Sequence, residues 1–185
     1  MKRIWNIFRF LIFSSVFSFL LASLFHFAYD FFGQGLIFSF FFPTNESVWE
    51  HLKLAFYPTI IVWLFLSNSL SGAISGSSYS TLISIFVVLF GYYGLKYGFK
   101  LEGLWVDLVL LFVGIFLGQC LGVLMKKKYP GKHLFFSLSH VLLWGLVFAF
   151  FTLHPALEFP VFQPPVVTVR VVENAGKYMG GYVVM

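Results

Sequence analysis

LWVDLVLLFVGIFLGQCLGVLMKKKYPGKHLFFSLSHVLLWGLVFAFFTL, from Leu104 to Leu153, consists of two apolar runs separated by a block of lysines. Each run holds about 20 residues, enough at 1.5 Å of helical rise per residue to cross roughly 30 Å of bilayer hydrocarbon. Lys126, Lys127, Lys128 and Lys132 lie between the runs and are the densest basic block of the chain. Cytoplasmic loops retain Lys and Arg, so the stretch predicts two spanning helices joined on the cytoplasmic side.

The same reading extends toward both ends. Further apolar runs cover about 7–27, 52–70 and 74–94, which with 104–125 and 134–153 predicts an all-α, polytopic membrane helix bundle of about five transmembrane helices over residues 1–154. Among the 185 residues, 59% are apolar, 22% aromatic and only 10% charged, with 27 Phe. A chain of this length has too little interior to bury that much aromatic surface, which excludes a soluble enzyme core, a disordered tail and a disulfide scaffold, and makes the lipid bilayer the expected partner. Cys120 is alone, so no internal disulfide forms. The net charge of +5 sits at the ends of apolar runs and forms no water-facing basic stripe, so nucleic acid is not an expected partner.

Lys2, Arg3 and Arg9 precede the first run, and a cytoplasmic amino terminus brings the Lys126 to Lys132 block to the same side after an even number of crossings. The expected location is the plasma membrane, multi-pass, with 155–185 as an extracytoplasmic tail. The first run has a basic start but is long, ends in Phe25, Phe27 and Tyr29, and closes with no small-residue cleavage site, so it reads as a retained helix in preference to a signal peptide. In the tail, VVTVRVV, ENAG and KYMGGYVV alternate as a short hairpin would, with a loose extended arm as the alternative.

Polar residues concentrate in PTNESVWEHLK, Pro43 to Lys53. Ser47 followed by Glu50 matches a capping box, so a helix begins here. Glu46 and Glu50 fall at helical i, i+4 spacing beside His51, a set suited to a cation, a proton or a hydrolytic water, with Glu46, Glu50 and His51 as candidate catalytic residues. The same acids also fit a solvated ladder with Lys53, stabilised by the helix dipole. In the fourth run, Asp107 falls near one line with Gly114, Gly118 and Gly122, the small-residue pattern of a helix contact, and is expected to face the bundle. Alternating crossings bring His26, His51, Asp107 and His154 to the outer end, where they are candidate ligands for a divalent metal such as zinc. Toward the cytoplasm, Gln119 and His140 share a depth and are expected to pair. No phosphate loop, HExxH helix, CxxC pair or GxSxG elbow occurs.

NESVWEHLK at Asn45 to Lys53 preceded by FFPT, YYG at Tyr92 to Gly94, Asp107, Gln119 and the late HP and FQPP stretches together resemble the bacterial integral membrane family termed domain of unknown function 6512. The resemblance runs from about His26 to Gln163 and implies a membrane protein with no assigned activity; the tail Val166 to Met185 is longer than the ending the family suggests. Three functional expectations follow from the polar residues: a cation or proton binding or transport component, a membrane-embedded metal-dependent hydrolase with Glu50 as general base, or a structural subunit without chemistry.

Overall fold

The computed structural model describes residues 2–128 and 134–165. The described chain is all-helical: α1 (Lys2–Phe31), the short α2 (Leu36–Ser39), α3 (Val48–Leu66), α4 (Leu70–Tyr93) continued by a π-turn (Gly94–Gly98), α5 (Leu104–Lys128), α6 (Leu134–Leu153) and a 3-10 turn (Pro160–Phe162). No strand occurs among the described residues. The hairpin expected within 166–185 and Lys132 of the lysine block lie outside them.

Helix bounds differ from expectation where polar caps decide them. α1 runs on through Asp30 to Phe31, because polar side chains do not end a helix without a breaker, and Gly33 and Gln34 at positive φ supply the break. Ser69 accepts the Gly72 N–H at 3.2 Å and so starts α4 at Leu70, ahead of the glycine- and serine-rich stretch. Four helices, α1, α4 with its π-turn, α5 and α6, are long and apolar enough to cross a membrane. α3 falls outside that set: Glu50, His51 and Lys53 occupy its start and leave the apolar stretch short.

An apolar core around Trp49, Phe56 and Phe148 is joined by buried hydroxyls, and the outside is apolar too. Ser14, Ser15, Ser18, Ser80, Thr81, Ser84 and Gln119 are buried, while Leu142, Leu146, Phe86, Phe116 and Phe135 face outward. Buried hydroxyls and outward leucines suit a bundle whose surroundings are as apolar as its side chains. The closest contact is between α4 and α5. There a methyl on Gly118 would strike the Ser80 carbonyl and the Ser84 hydroxyl, and Ser84 Oγ donates to the Gly114 carbonyl at 3.1 Å. Trp63 of α3 is fully buried against Gly76, and its indole N–H donates to Ser80 Oγ at 2.9 Å.

Because α4 packs against both α5 and α6, it stands between Gln119 and His140. The expected pair does not form. Gln119 Nε2 donates to Ser18 Oγ at 3.2 Å, and His140 Nε2 lies 3.3 Å from Thr81 Oγ1. Depth along a helix was legible, but the identity of the neighbouring helix was not.

Candidate functional site

The segment Pro43 to Lys53 reverses the chain and starts α3, and nearly every polar atom in it has a structural partner. Asn45 Oδ1 accepts the Ser47 N–H at 2.9 Å, an Asx turn, and Ser47 Oγ caps the helix by accepting the Glu50 N–H at 3.3 Å. Trp49 packs with ring centroids 5.3 Å from Phe148 and 5.1 Å from Phe162, seating the 3-10 turn against α3.

Only half of the capping box forms. The Glu50 carboxylate does not return to Ser47; it accepts from the Thr44 N–H at 2.8 Å, Thr44 Oγ1 at 3.1 Å and Thr152 Oγ1 of α6 at 3.0 Å. It also pairs with Lys53 Nζ at 2.7 Å, and Lys53 in turn donates to the Ser39 carbonyl at 2.8 Å. Both side chains are buried, at 3% and 0% exposure. Glu50 therefore stands apart from His51 and joins α2, α3 and α6 through a buried ion pair whose hydrogen-bonding capacity is filled. This corrects its expected role as a base beside His51, and it equally corrects a solvated ladder.

Glu46 and His51 remain, and they meet a third group. Ser47 is extended at the N-cap, so Glu46 precedes the helix and is not in helical register with Glu50. Its Oε2 lies 3.4 Å from His51 Nε2 and 3.6 Å from Nε2 of His26 on α1. The two imidazole Nε2 atoms are 3.2 Å apart, and one ligand atom from each of the three residues lies within 4.8 Å of the others. His51 Nδ1 is 2.9 Å from the Ser47 carbonyl. A carbonyl only accepts, so Nδ1 carries a proton in either charge state: the charged ring also donates from Nε2 to Glu46, and on losing that proton the ring turns its Nε2 lone pair to the cluster, its orientation held by the Ser47 carbonyl as outer partners hold metal-binding imidazoles.

The electrostatics are mutual. The hydrogen bond with His51 holds the Glu46 carboxyl below its ordinary range against the opposing effect of partial burial, helped by the nearby His51 and His26 charges. His51 lies in the first turn of α3, ahead of the apolar stretch. Burial disfavours its charged form, but the Glu46 hydrogen bond, the Ser47 carbonyl and the Glu46 charge outweigh that and raise its pKa.

His26, Glu46 and His51 form part of the wall of a cavity of about 460 Å³. Tyr92, Lys96, Glu102 and Asp107 line it too, from the end of α4, the π-turn, the connection that follows it and the start of α5. Lys96 Nζ donates to Tyr92 Oη at 3.4 Å and pairs with Glu102 at 3.5 Å. A smaller cavity of about 150 Å³, lined by Asp30, Thr44 and Asn45, shares His26 and Glu46 as its wall. Asp107 lines the larger cavity with His51, but it is exposed there and not enclosed by the bundle as expected, and it is not one of the three residues in the tight cluster. His154 departs further from expectation: it is exposed at the end of α6, against Phe150, and lines neither cavity. Its helix closes on the far side of Trp49, so sharing an end of the bundle did not bring it to the cluster.

Thr44, Thr152 and Ser39, which satisfy the buried pair, carry no pattern in the sequence that distinguishes them from other hydroxyls. The Lys96 and Glu102 pair had a signal: opposite charges flanking a short connection after an aromatic helix end.

A family model described as a family of unknown function (DUF6512) matches residues 1–170. Neither the curated proteins nor the solved structures contain a match to the chain.

Proposed function

This chain belongs to the family of unknown function DUF6512, and from that premise, which carries no activity, we propose that it is a multi-pass integral membrane protein that binds a divalent transition-metal cation, zinc foremost, at His26, Glu46 and His51. The observation that carries this reading is the convergence of two imidazole nitrogens and a carboxylate oxygen within 4.8 Å, with the His51 tautomer set by the Ser47 carbonyl. Imidazole and carboxylate suit zinc, and three protein ligands leave a coordination position open. The adjoining cavity gives that position somewhere to face.

The basic amino terminus and lysine block support a cytoplasmic amino terminus in the plasma membrane. The cluster then lies at the extracytoplasmic end, where α1 finishes and α3 begins. A second reading, a membrane-embedded metal-dependent hydrolase, is favoured by one observation: Asp107 lines the same cavity as the cluster and is a candidate for holding a water beside the cation. Glu50 has no part in it.

Metal analysis of the detergent-purified chain, prepared without chelator, tests the cation reading. We expect about one zinc per chain, with at least roughly tenfold weaker binding in His26→Ala and His51→Ala. A folded wild type that takes up no transition metal on supplementation overturns it.

A further inference from the structure

The large cavity is chemically divided along its depth. His51, Tyr92 and Asp107 sit at its polar end, and about one helical turn further in along the same three helices lie Leu54, Val88 and Leu111. A volume of about 460 Å³ with an apolar interior and a few converging polar groups is that of a small-molecule site.

The charges around the polar end select the kind of head it accepts. Lys96 is engaged by Glu102 and Tyr92, and Glu46 by two imidazoles. Among the described residues, the Asp107 carboxylate has neither a hydrogen-bonding side chain nor an ion-pair partner, although it faces the cavity. With no cation in the cluster, an anionic head would lie against that carboxylate with no unengaged lysine to offset the repulsion, whereas a hydroxyl would donate to it.

The mouth identifies the source of the ligand. Leu104 lines the cavity and is 70% exposed, beside Trp105 at 78% and Val109 at 60% on the same helix. Glu102, with its side chain 69% exposed, lines the cavity beside Leu104, so the cavity opens where a polar rim meets the outward apolar belt of α5, a place that suits a molecule with a polar head and a bilayer-resident chain.

We propose that this cavity takes up a single-chain lipid with a neutral, hydroxyl-bearing head, of the monoacylglycerol class, entering past Leu104. Its chain lies against Leu54, Val88 and Leu111, and its head lies between Asp107 and the His26, Glu46 and His51 cluster. The inference rests on the cation reading only for what the cluster contributes to the head; the chain and the Asp107 contact stand without it.

The test uses the full chain in phosphatidylcholine nanodiscs with a diazirine-bearing monoacylglycerol, photolabelled and mapped by peptide mass spectrometry while zinc content is measured on the same sample. Expected is saturable labelling of peptides that carry 88–92 and 104–111, displaced by unlabelled monoacylglycerol and, once any bound zinc is stripped by chelator, at least about tenfold less well by the fatty acid of equal chain length. Asp107→Asn should reduce that preference to about threefold or less, since the repelling charge is gone. Leu111→Trp, or Val88→Trp where the first does not fold, should abolish saturable labelling by filling the cavity. Non-saturable labelling, equal competition by the fatty acid, or labelling unchanged by a folded cavity-filling variant overturns the proposal. Saturable labelling in a zinc-free protein supports this proposal and removes the cation reading; zinc bound with no saturable labelling does the reverse.

Discussion

His26 Nε2 and His51 Nε2 approach to 3.2 Å although 25 residues separate them in the chain. Only one proton can lie between two such nitrogens, and Glu46 Oε2 adds a third basic atom at 3.4 Å from His51. The remaining polar residues of the Asn45 to Lys53 segment serve caps, turns or the buried pair, which sets Glu46 and His51 apart as the two whose side chains turn to α1.

Zinc affinity should rise with pH through the neutral range. The metal displaces the His51 proton, and because the His51 pKa is raised, that competition persists above the ordinary imidazole value. Glu46, held below its ordinary range, stays ionised throughout and adds no slope there. Below the His51 pKa, affinity should fall by about tenfold per pH unit for each proton displaced. Titration calorimetry between about pH 5.5 and 8.5 measures this, and a flat or inverted profile contradicts His51 as a ligand.

The same assay separates the histidines. His154 is exposed and lines neither cavity, so His154→Ala should bind zinc within about twofold of wild type, while His26→Ala loses at least about tenfold. Comparable losses in both variants would mean that α6 reaches the cluster in the membrane.

The Glu50 and Lys53 pair should show the asymmetry of buried charges. Glu50→Gln alone leaves the Lys53 ammonium uncompensated at 0% exposure and should cost about 3–5 kcal/mol. Combining it with Lys53→Met removes both charges and should restore much of that loss. Unfolding in mixed detergent, read as a double-mutant cycle, gives the coupling; additive losses would show that the two do not interact as a buried pair.

How far the chain could be read without coordinates depends on which dimension is asked for. Apolar length and small-residue spacing give helices and depth, so Gly114, Gly118 and Gly122 mark the face of α5 that meets α4. The direction a side chain takes around a helix is legible only once the first residue of the helix is known. Sequence spacing puts Glu46 in register with Glu50, yet Ser47 starts the helix and Glu46 belongs to the turn before it, which frees it to reach His51 and His26. Glu50 and His51 are adjacent in sequence but about 100° apart around α3, one facing Thr152 and the other His26. Which helix stands beside which is the least legible, as α4 between Gln119 and His140 illustrates.

Glycines of the two helices should respond to alanine in opposite ways. A Cβ on Gly118 meets the Ser80 carbonyl, and backbone on a packed helix cannot swing aside as a side-chain tip can. Gly118→Ala therefore forces α4 and α5 apart, weakens the Ser84 to Gly114 hydrogen bond, and should destabilise by about 1–3 kcal/mol. Gly145 in α6 has nothing within 4 Å of such a methyl, so Gly145→Ala meets no steric cost and gains helix propensity of up to about 1 kcal/mol. Thermal unfolding of both variants in one detergent decides the matter. Equal shifts would show that the tight α4 and α5 contact does not contribute to stability, and a larger loss at Gly145 would mean that the outer face of α6 is covered by another protein surface rather than by lipid.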